Sequence, residues 1–335
     1  MRRIGGLIVL LLTLNLGGAT EWIRAGRNTN APVWGIPGGL IWAVPPGKLR
    51  PQGEPRGLIR VGYPVLTNGG YDLINFIAVE PIVQGRRGFS ELELSQTDQK
   101  PGKLFWSGAE TATSPAEQLS PGTLRQLGSG IEELTVAIGI ERFENGAAVQ
   151  LQISQRTDRP DELRLVVRAR PDSAPLDYCI LTATMGNWIR ARQLWLRDRV
   201  VNSLRQYPEH RGAHFAAHSF FPLAQLHRDP DGSVLVALTS DESDPALVHP
   251  FRHSDFWYYG GQPVTQYWRK PAATVRPDLR AVVNARYTYW QSQHPIPGGV
   301  AYENFELNER YHPGQEFIFG VTRRTPAQLG MSATP

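Results

Sequence analysis

Residues 131–153, IEELTVAIGIERFENGAAVQLQI, decide how this chain folds. Leu134, Val136, Ile138 and Ile140 alternate with small or polar residues, Val149, Leu151 and Ile153 repeat the alternation, and Asn145-Gly146 lies between them. A period of two puts the apolar side chains on one face of a strand, and an Asn-Gly pair tolerates the positive φ angles of a tight turn. The segment predicts a β-hairpin with one core face and one polar face.

The same pattern extends in both directions. Leu163, Leu165 and Val167 follow the turn at Pro160-Asp161 and continue a meander, and Asp177 to Thr184 is an apolar run suited to a central strand. Upstream, Gly57 to Leu66 and Tyr71 to Glu80 flank Asn68-Gly69-Gly70, and Phe89 to Ser95 reads as a strand after a glycine-arginine turn. Downstream, Ser233 to Leu238, Arg280 to Trp290, Gly299 to Leu307 and Gln315 to Thr322 read as strands. Helical patterning is confined to two short windows, Ser114 to Leu119 and Arg197 to Gln206, while 33 glycines and 27 prolines punctuate the chain. The fold class is therefore all-β, with so many strands that two packed sheets or a barrel must cover their faces and edges. Residues 21–325 read as one domain, Pro45 to Pro55 as a mobile loop, and residues 326–335 as a frayed tail.

The first twenty residues carry the compartment signal. Arg2 and Arg3, the apolar run Ile8 to Leu14 and the small residues Gly17, Gly18 and Ala19 have the order of a secretory signal peptide, which predicts a secreted or periplasmic protein. The run is shorter than the roughly 20 residues of a membrane span, so no membrane span is expected. Cys179, the single cysteine, excludes an internal disulfide framework and reads as a buried, inert thiol. Without Arg2 and Arg3 the formal charge of +4 falls to +2, and the arginines of the Arg156 to Arg164 segment alternate with acids. That is a mixed solvated surface and not a phosphate-tracking stripe, so nucleic acid is not an expected partner. With no dinucleotide fingerprint or phosphate loop, no cofactor is expected either.

All eight histidines follow Glu209, and the stretch from His249 to Trp290 is rich in aromatic residues. Rings present stiff faces on which the CH-rich faces of sugars stack, and they equally fill cores. Trp257, Tyr258, Tyr259 and Trp268 are the candidates for stacking on a saccharide. His214 and His218 are spaced four apart, as are His249 and His253, and Glu303, Glu306 or Asp255 could complete a ligand set. No specific metal motif accompanies them, and no metal is expected.

Three ordered stretches give the chain a family likeness. Gln84-Gly85-Arg86-Arg87-Gly88-Phe89 with a later Trp106, then His218-Ser219-Phe220-Phe221-Pro222-Leu223, then Tyr302-Glu303-Asn304 with Tyr311-His312-Pro313-Gly314-Gln315, resemble motifs of the galactose mutarotase (aldose 1-epimerase) superfamily. The resemblance implies a large antiparallel β supersandwich, with Glu303 as the base that takes a proton from the anomeric hydroxyl and His218 as the acid that donates to the ring oxygen. It places Asn75 among the substrate-binding residues. Phe76 stands where the family has an arginine, and Val83 where it has another histidine.

The functional expectation is an exported carbohydrate-binding or carbohydrate-active protein with an aromatic-lined sugar face. One alternative is a polysaccharide lyase. In that reading His218 or His253 abstracts the proton alpha to a uronate carboxylate, Arg190 and Arg192 neutralise the carboxylate, and Tyr258 or Tyr259 protonates the leaving oxygen. Another is a non-catalytic envelope protein that docks a protein partner. No Gly-x-Ser-x-Gly elbow supports serine chemistry.

Overall fold

A computed structural model describes residues 21–44, 56–64, 70–108, 119–128, 130–185, 190–241, 264–288, 293 and 295–333. Its elements are β1 (Ile23–Arg24), β2 (Val33–Gly35), β3 (Ile41–Ala43), β4 (Leu58–Pro64), β5 (Tyr71–Val83), β6 (Arg86–Arg87), β7 (Phe105–Ser107), β8 (Thr123–Gly128), β9 (Ile131–Ile140), β10 (Val149–Arg156) and β11 (Arg159–Ala169). They continue with β12 (Tyr178–Met185), β13 (Ala191–Trp195), β14 (Val200–Asn202), α1 (Ser203–Gln206), β15 (Ser219–Pro222), β16 (His227–Arg228), β17 (Val234–Ser240), β18 (Thr265–Lys270), β19 (Arg280–Arg286), β20 (Ala301–Asn308) and β21 (Glu316–Thr322). Among the described residues these strands form a ten-stranded sheet in the order β1-β2-β3-β4-β5-β12-β20-β19-β15, with β6 on β5. They also form an eleven-stranded sheet in the order β14-β13-β17-β18-β21-β11-β10-β9-β7, with β16 on β17 and β8 on β9. Every strand pair is antiparallel, so the expected all-β antiparallel sandwich is what the chain forms.

The opening segment behaves as its alternation requires. Leu134, Val136, Ile138, Ile140, Val149, Leu151 and Ile153 are all buried in one core between the two sheets. In that core Trp268 of β18 packs on Phe317 and Phe319 and donates its indole N–H to the Phe305 carbonyl of β20 at 2.8 Å, tying one sheet to the other. Close approach explains Gly139 and Gly320, where an added Cβ would lie 2.3 Å from the Trp106 ring and 2.1 Å from the Tyr267 ring.

Three expectations need correction. Phe89 to Ser95 is a run of turns and not a strand, because its polar groups tie it to turns and loops: Phe89 N–H donates to Glu93 Oε1, Ser90 Oγ donates to the Gly57 carbonyl, and Glu93 holds the fully buried Lys103 at 3.1 Å. The helical window at Arg197 to Gln206 shrinks to the single turn α1, capped by Asn202, since Val200–Asn202 pairs with β13 instead. The tail from Pro326 does not fray over its described part. Leu329, Met331 and Ala333 are buried against Trp195, Leu235, Ala237 and Tyr267 on the outer side of the eleven-stranded sheet. The loop expected at Pro45 to Pro55 and most of the window at Ser114 to Leu119 lie outside the described residues, as does the signal segment.

Candidate functional site

The ten-stranded sheet buries one face in the core through Ile77 and Val79 (β5), Leu181 and Ala183 (β12), Phe305 and Leu307 (β20), and Ala281 and Val283 (β19). Strand alternation then fixes what the opposite face carries. The register aligns Arg60 of β4 with Phe76, Phe76 with Thr184, and Thr184 with Asn304, and beyond them Asn284 faces His218, which precedes β15. The neighbouring row runs from Leu58 through Ala78, Thr182, Glu306 and Val282 to Phe220. Two ordered rows thus cross the centre of the sheet, the first mostly polar and the second apolar except for Thr182 and Glu306.

Hydrogen bonds knit the first row together. Thr184 Oγ1 donates to Asn304 Oδ1 at 2.9 Å, the Asn304 backbone N–H donates to Asn284 Oδ1 at 3.1 Å, and Asn284 Nδ2 lies 3.4 Å from His218 Nε2. A bulge explains Glu303: between the pairs Val283↔Phe305 and Ala285↔Tyr302, β20 spans one residue more than β19. Such insertions re-aim side chains beside functional sites, and here they leave Glu303 and Asn304 half-buried between two fully buried neighbours, Tyr302 and Phe305.

The second row is an electrostatic device. Val83, Gln84, Gly85 and Arg86 make a two-residue hairpin with positive φ at Gln84 (49°) and Gly85 (72°), which folds β6 back along β5. Arg87 thereby reaches Glu80, to which its Nε donates at 2.8 Å. Thr182 Oγ1 lies 3.2 Å from Glu80 Oε2 and 2.9 Å from Glu306 Oε2. One hydroxyl carries one proton, so it can donate to only one of the two carboxyls, and the second contact requires a proton on a carboxyl. Glu80, bonded to Arg87, is the better placed of the two to hold the negative charge, which favours a proton on Glu306. Burial, and then the charge of Glu80, push Glu306 up to about 8. Burial likewise pushes Glu303 up to about 7 against the opposing pull of Arg286. His218 is exposed, yet the protein around it and then the positive Arg87 hold its imidazole below the ordinary histidine range.

The face has a buried floor and an accessible rim. Thr182, Val282, Asn284 and Glu306 are buried, whereas Phe76, Thr184, Glu303 and Asn304 are half-buried and His218 is exposed. Phe220, 54% exposed, stands beside His218 with the guanidinium of Arg280 4.7 Å above it, and Phe215, 48% exposed, lies under the guanidinium of Arg286 at 5.1 Å.

The expected site residues separate into three groups. His218 and Glu303 do fall on this one face of the ten-stranded sheet. Trp268 and Asn75 do not. Trp268 is 1% exposed between the sheets, where no sugar can stack on it, and Asn75, fully buried, donates to Gln266 Oε1 of the opposite sheet at 2.9 Å. Arg190 and Arg192 donate to the Pro297 carbonyl, and Arg192 also donates to those of Gly299 and Val300 and pairs with Asp241 at 3.3 Å, so they brace a loop rather than face the row. His253, Trp257, Tyr258 and Tyr259 lie outside the described residues. Among the described residues no group of three or more histidine, cysteine or acidic side chains could hold a metal ion.

Sequence reading missed Glu80, Thr182, Asn284 and Arg280. The available signal was parity: Glu80, Thr182 and Glu306 occupy alternate positions of otherwise apolar strands, on the side opposite the core residues. A groove of about 620 Å³ lies elsewhere, lined by residues that include Arg197, Leu223, His227 and Arg228, and it lacks the ordered polar rows.

No protein-family model matches the chain, and no curated protein matches it. Among solved structures the chain is similar to the GalM/aldose epimerase homologue from C. elegans, with 9% identity and a TM-score of 0.32 over 92% of this chain and 100% of that one. This likeness assigns no role to any residue here.

Proposed function

We propose that the chain is an exported carbohydrate-binding protein whose saccharide lies across the outer face of the ten-stranded sheet. The observation that carries this reading is the cross-strand row of Thr184, Asn304, Asn284 and His218 beside the exposed ring of Phe220. Amide, hydroxyl and imidazole groups fixed on rigid strands match the closely spaced hydroxyls of a pyranose, and an adjacent aromatic face takes its CH surface. Export follows from the segment Arg2 to Ala19.

Titration of a neutral, acidic and amino oligosaccharide panel by calorimetry tests the reading. Binding by the wild-type protein that falls at least about tenfold in Asn304→Ala, with an unchanged melting temperature, supports it, because an unmet sugar hydroxyl costs about 1–3 kcal/mol. Binding unaffected by Asn304→Ala, or no binding to any member, refutes it.

A second reading, proton transfer to and from the bound sugar, has its own support: burial pushes Glu303 up to about 7, so it changes charge near neutral pH, and His218, held below the ordinary histidine range, lies on the same face. Polarimetry on a free aldose checks it. Acceleration lost in both Glu303→Gln and His218→Gln is the expected result, and an uncatalysed rate leaves a pure binder. The lyase reading loses the arginines it relied on, since Arg190 and Arg192 are occupied by backbone carbonyls.

A further inference from the structure

The outer face of the ten-stranded sheet carries an unusual set of guanidinium groups. Arg60 lies over Phe76 at 5.8 Å, Arg87 over Phe89 at 5.4 Å, Arg280 over Phe220 at 4.7 Å and Arg286 over Phe215 at 5.1 Å. Their carboxylate neighbours are unevenly distributed. Arg87 is bonded to Glu80, and Arg286 is close enough to Glu303 to pull on its titration. Among the described residues Arg280 forms no ion pair, and its guanidinium lies over the Phe220 ring. Glu306 feels its charge, but burial pushes that carboxyl up to about 8.

Stacking fixes the plane of a guanidinium while leaving its N–H edges in that plane free to donate. Arg280 is half-buried, so part of its hydration is already lost, and an anion arriving at its edge replaces water with a planar two-point contact. Phe220 lies opposite Val282 in the row that contains Glu306, and His218 stands two residues before it with its ring centroid 6.4 Å from that of Phe220. A sugar resting on this ring would present a substituent to Arg280 and its hydroxyls to Asn284 and Asn304.

We infer that the saccharide held by this face is acidic, with a uronic-acid carboxylate bound at the Arg280 edge above Phe220. The inference rests on the carbohydrate reading above and narrows it from sugars in general to carboxylate-bearing ones. It also moves charge recognition from Arg190 and Arg192 to Arg280.

The direct test compares three probes on the unaltered protein: oligogalacturonate, its fully methyl-esterified form, and a neutral cello-oligosaccharide. The esters keep ring and linkage but remove the charge. Oligogalacturonate is expected to bind at least about tenfold tighter than its ester, which is the range of a charge-assisted hydrogen bond, and Arg280→Gln is expected to bring the two to within about twofold of each other. Equal or tighter binding of the ester or the neutral probe overturns the inference while leaving carbohydrate binding in place. Absence of binding to all three overturns the inference, and the wider panel of the previous experiment then decides the carbohydrate reading by itself. A charge preference that survives intact in folded Arg280→Gln, with folding checked by an unchanged melting transition, also overturns the assignment.

Discussion

The β9–β10 hairpin and the β12–β20 pair are both antiparallel ladders with one face in the same core, and they differ in what the other face contains. Behind Leu134, Val136, Ile153 and Leu151 the hairpin presents Thr135, Ala137 and Gln152, half-buried and uncharged, and the buried carboxylate of Glu133 on that side is paired with Arg125 of β8. Behind Leu181, Ala183, Phe305 and Leu307 the central pair presents Thr182 and Glu306, which are buried, with Thr184 and Asn304 at the rim. A hairpin needs only one apolar face to be stable. A buried carboxyl without a cation partner on the second face costs stability, and its place among hydrogen-bonding groups is what supports the proposal of a ligand there. The difference teaches that the two sheets are not equivalent: the interior specifies the fold, and the outer side of one sheet carries the ordered polar groups on which the carbohydrate proposal rests.

Core truncation should give the largest effects and leave the comparison's functional side untouched. Trp268→Ala removes a ring 1% exposed between the sheets and should cost about 3–5 kcal/mol in urea unfolding, with Leu151→Ala at about 2–5 kcal/mol. If Trp268→Ala instead abolished sugar binding at full stability, the division between core and site would be wrong. Lys270→Met probes the interior from the polar side. The fully buried Lys270 ammonium meets the equally buried Glu309 at 2.5 Å, and removal of one partner leaves an uncompensated charge worth about 3–5 kcal/mol.

Glu306→Gln sharpens the contrast through pH. Burial raises its folded pKa to about 8, so the folded state holds a proton that the unfolded state releases in the window from the ordinary carboxylate range up to that value. The stability this proton carries is present below the window and is lost as pH rises through it. The variant should therefore match wild type near pH 4 and melt higher than wild type at pH 8. Equal melting temperatures at both values would show that Glu306 is ionised without cost.

Phe220→Ala should have a smaller and purely functional effect, a loss of saccharide affinity of about fivefold to tenfold, from a ring contact of about 1–1.5 kcal/mol. Its melting temperature should hold, because the ring is 54% exposed. The smallest effect belongs to Arg125→Ala, which removes the exposed partner of Glu133 at the far end of the hairpin and should change unfolding by less than about 1 kcal/mol.

The fold was legible in the sequence wherever one face is polar. Alternation located β9, β10 and β11, because polar residues on one side keep the period of two visible. It misread Phe89 to Ser95, where alternating Leu92 and Leu94 resemble a strand but lie 60% and 46% exposed on turns held by Glu93 and Ser90. The candidate site was legible only at His218 and Glu303, which came from family likeness. Glu80, Thr182 and Asn284 escaped because their meaning lies in cross-strand register, which joins residues such as Thr182 and Glu306 that are 124 positions apart. Trp268 was misassigned because an aromatic side chain suits a core as well as a sugar face, and composition does not choose between them.

Hydroxyl-radical footprinting of the whole protein, with and without a saturating mixture of neutral and uronic oligosaccharides, tests the central claim most directly. The account predicts that protection concentrates on His218, Phe215 and Phe220, with Leu92 and Leu124 unchanged. Protection confined to Leu223 and His227 in the groove beside β16, or no protection anywhere, would contradict it.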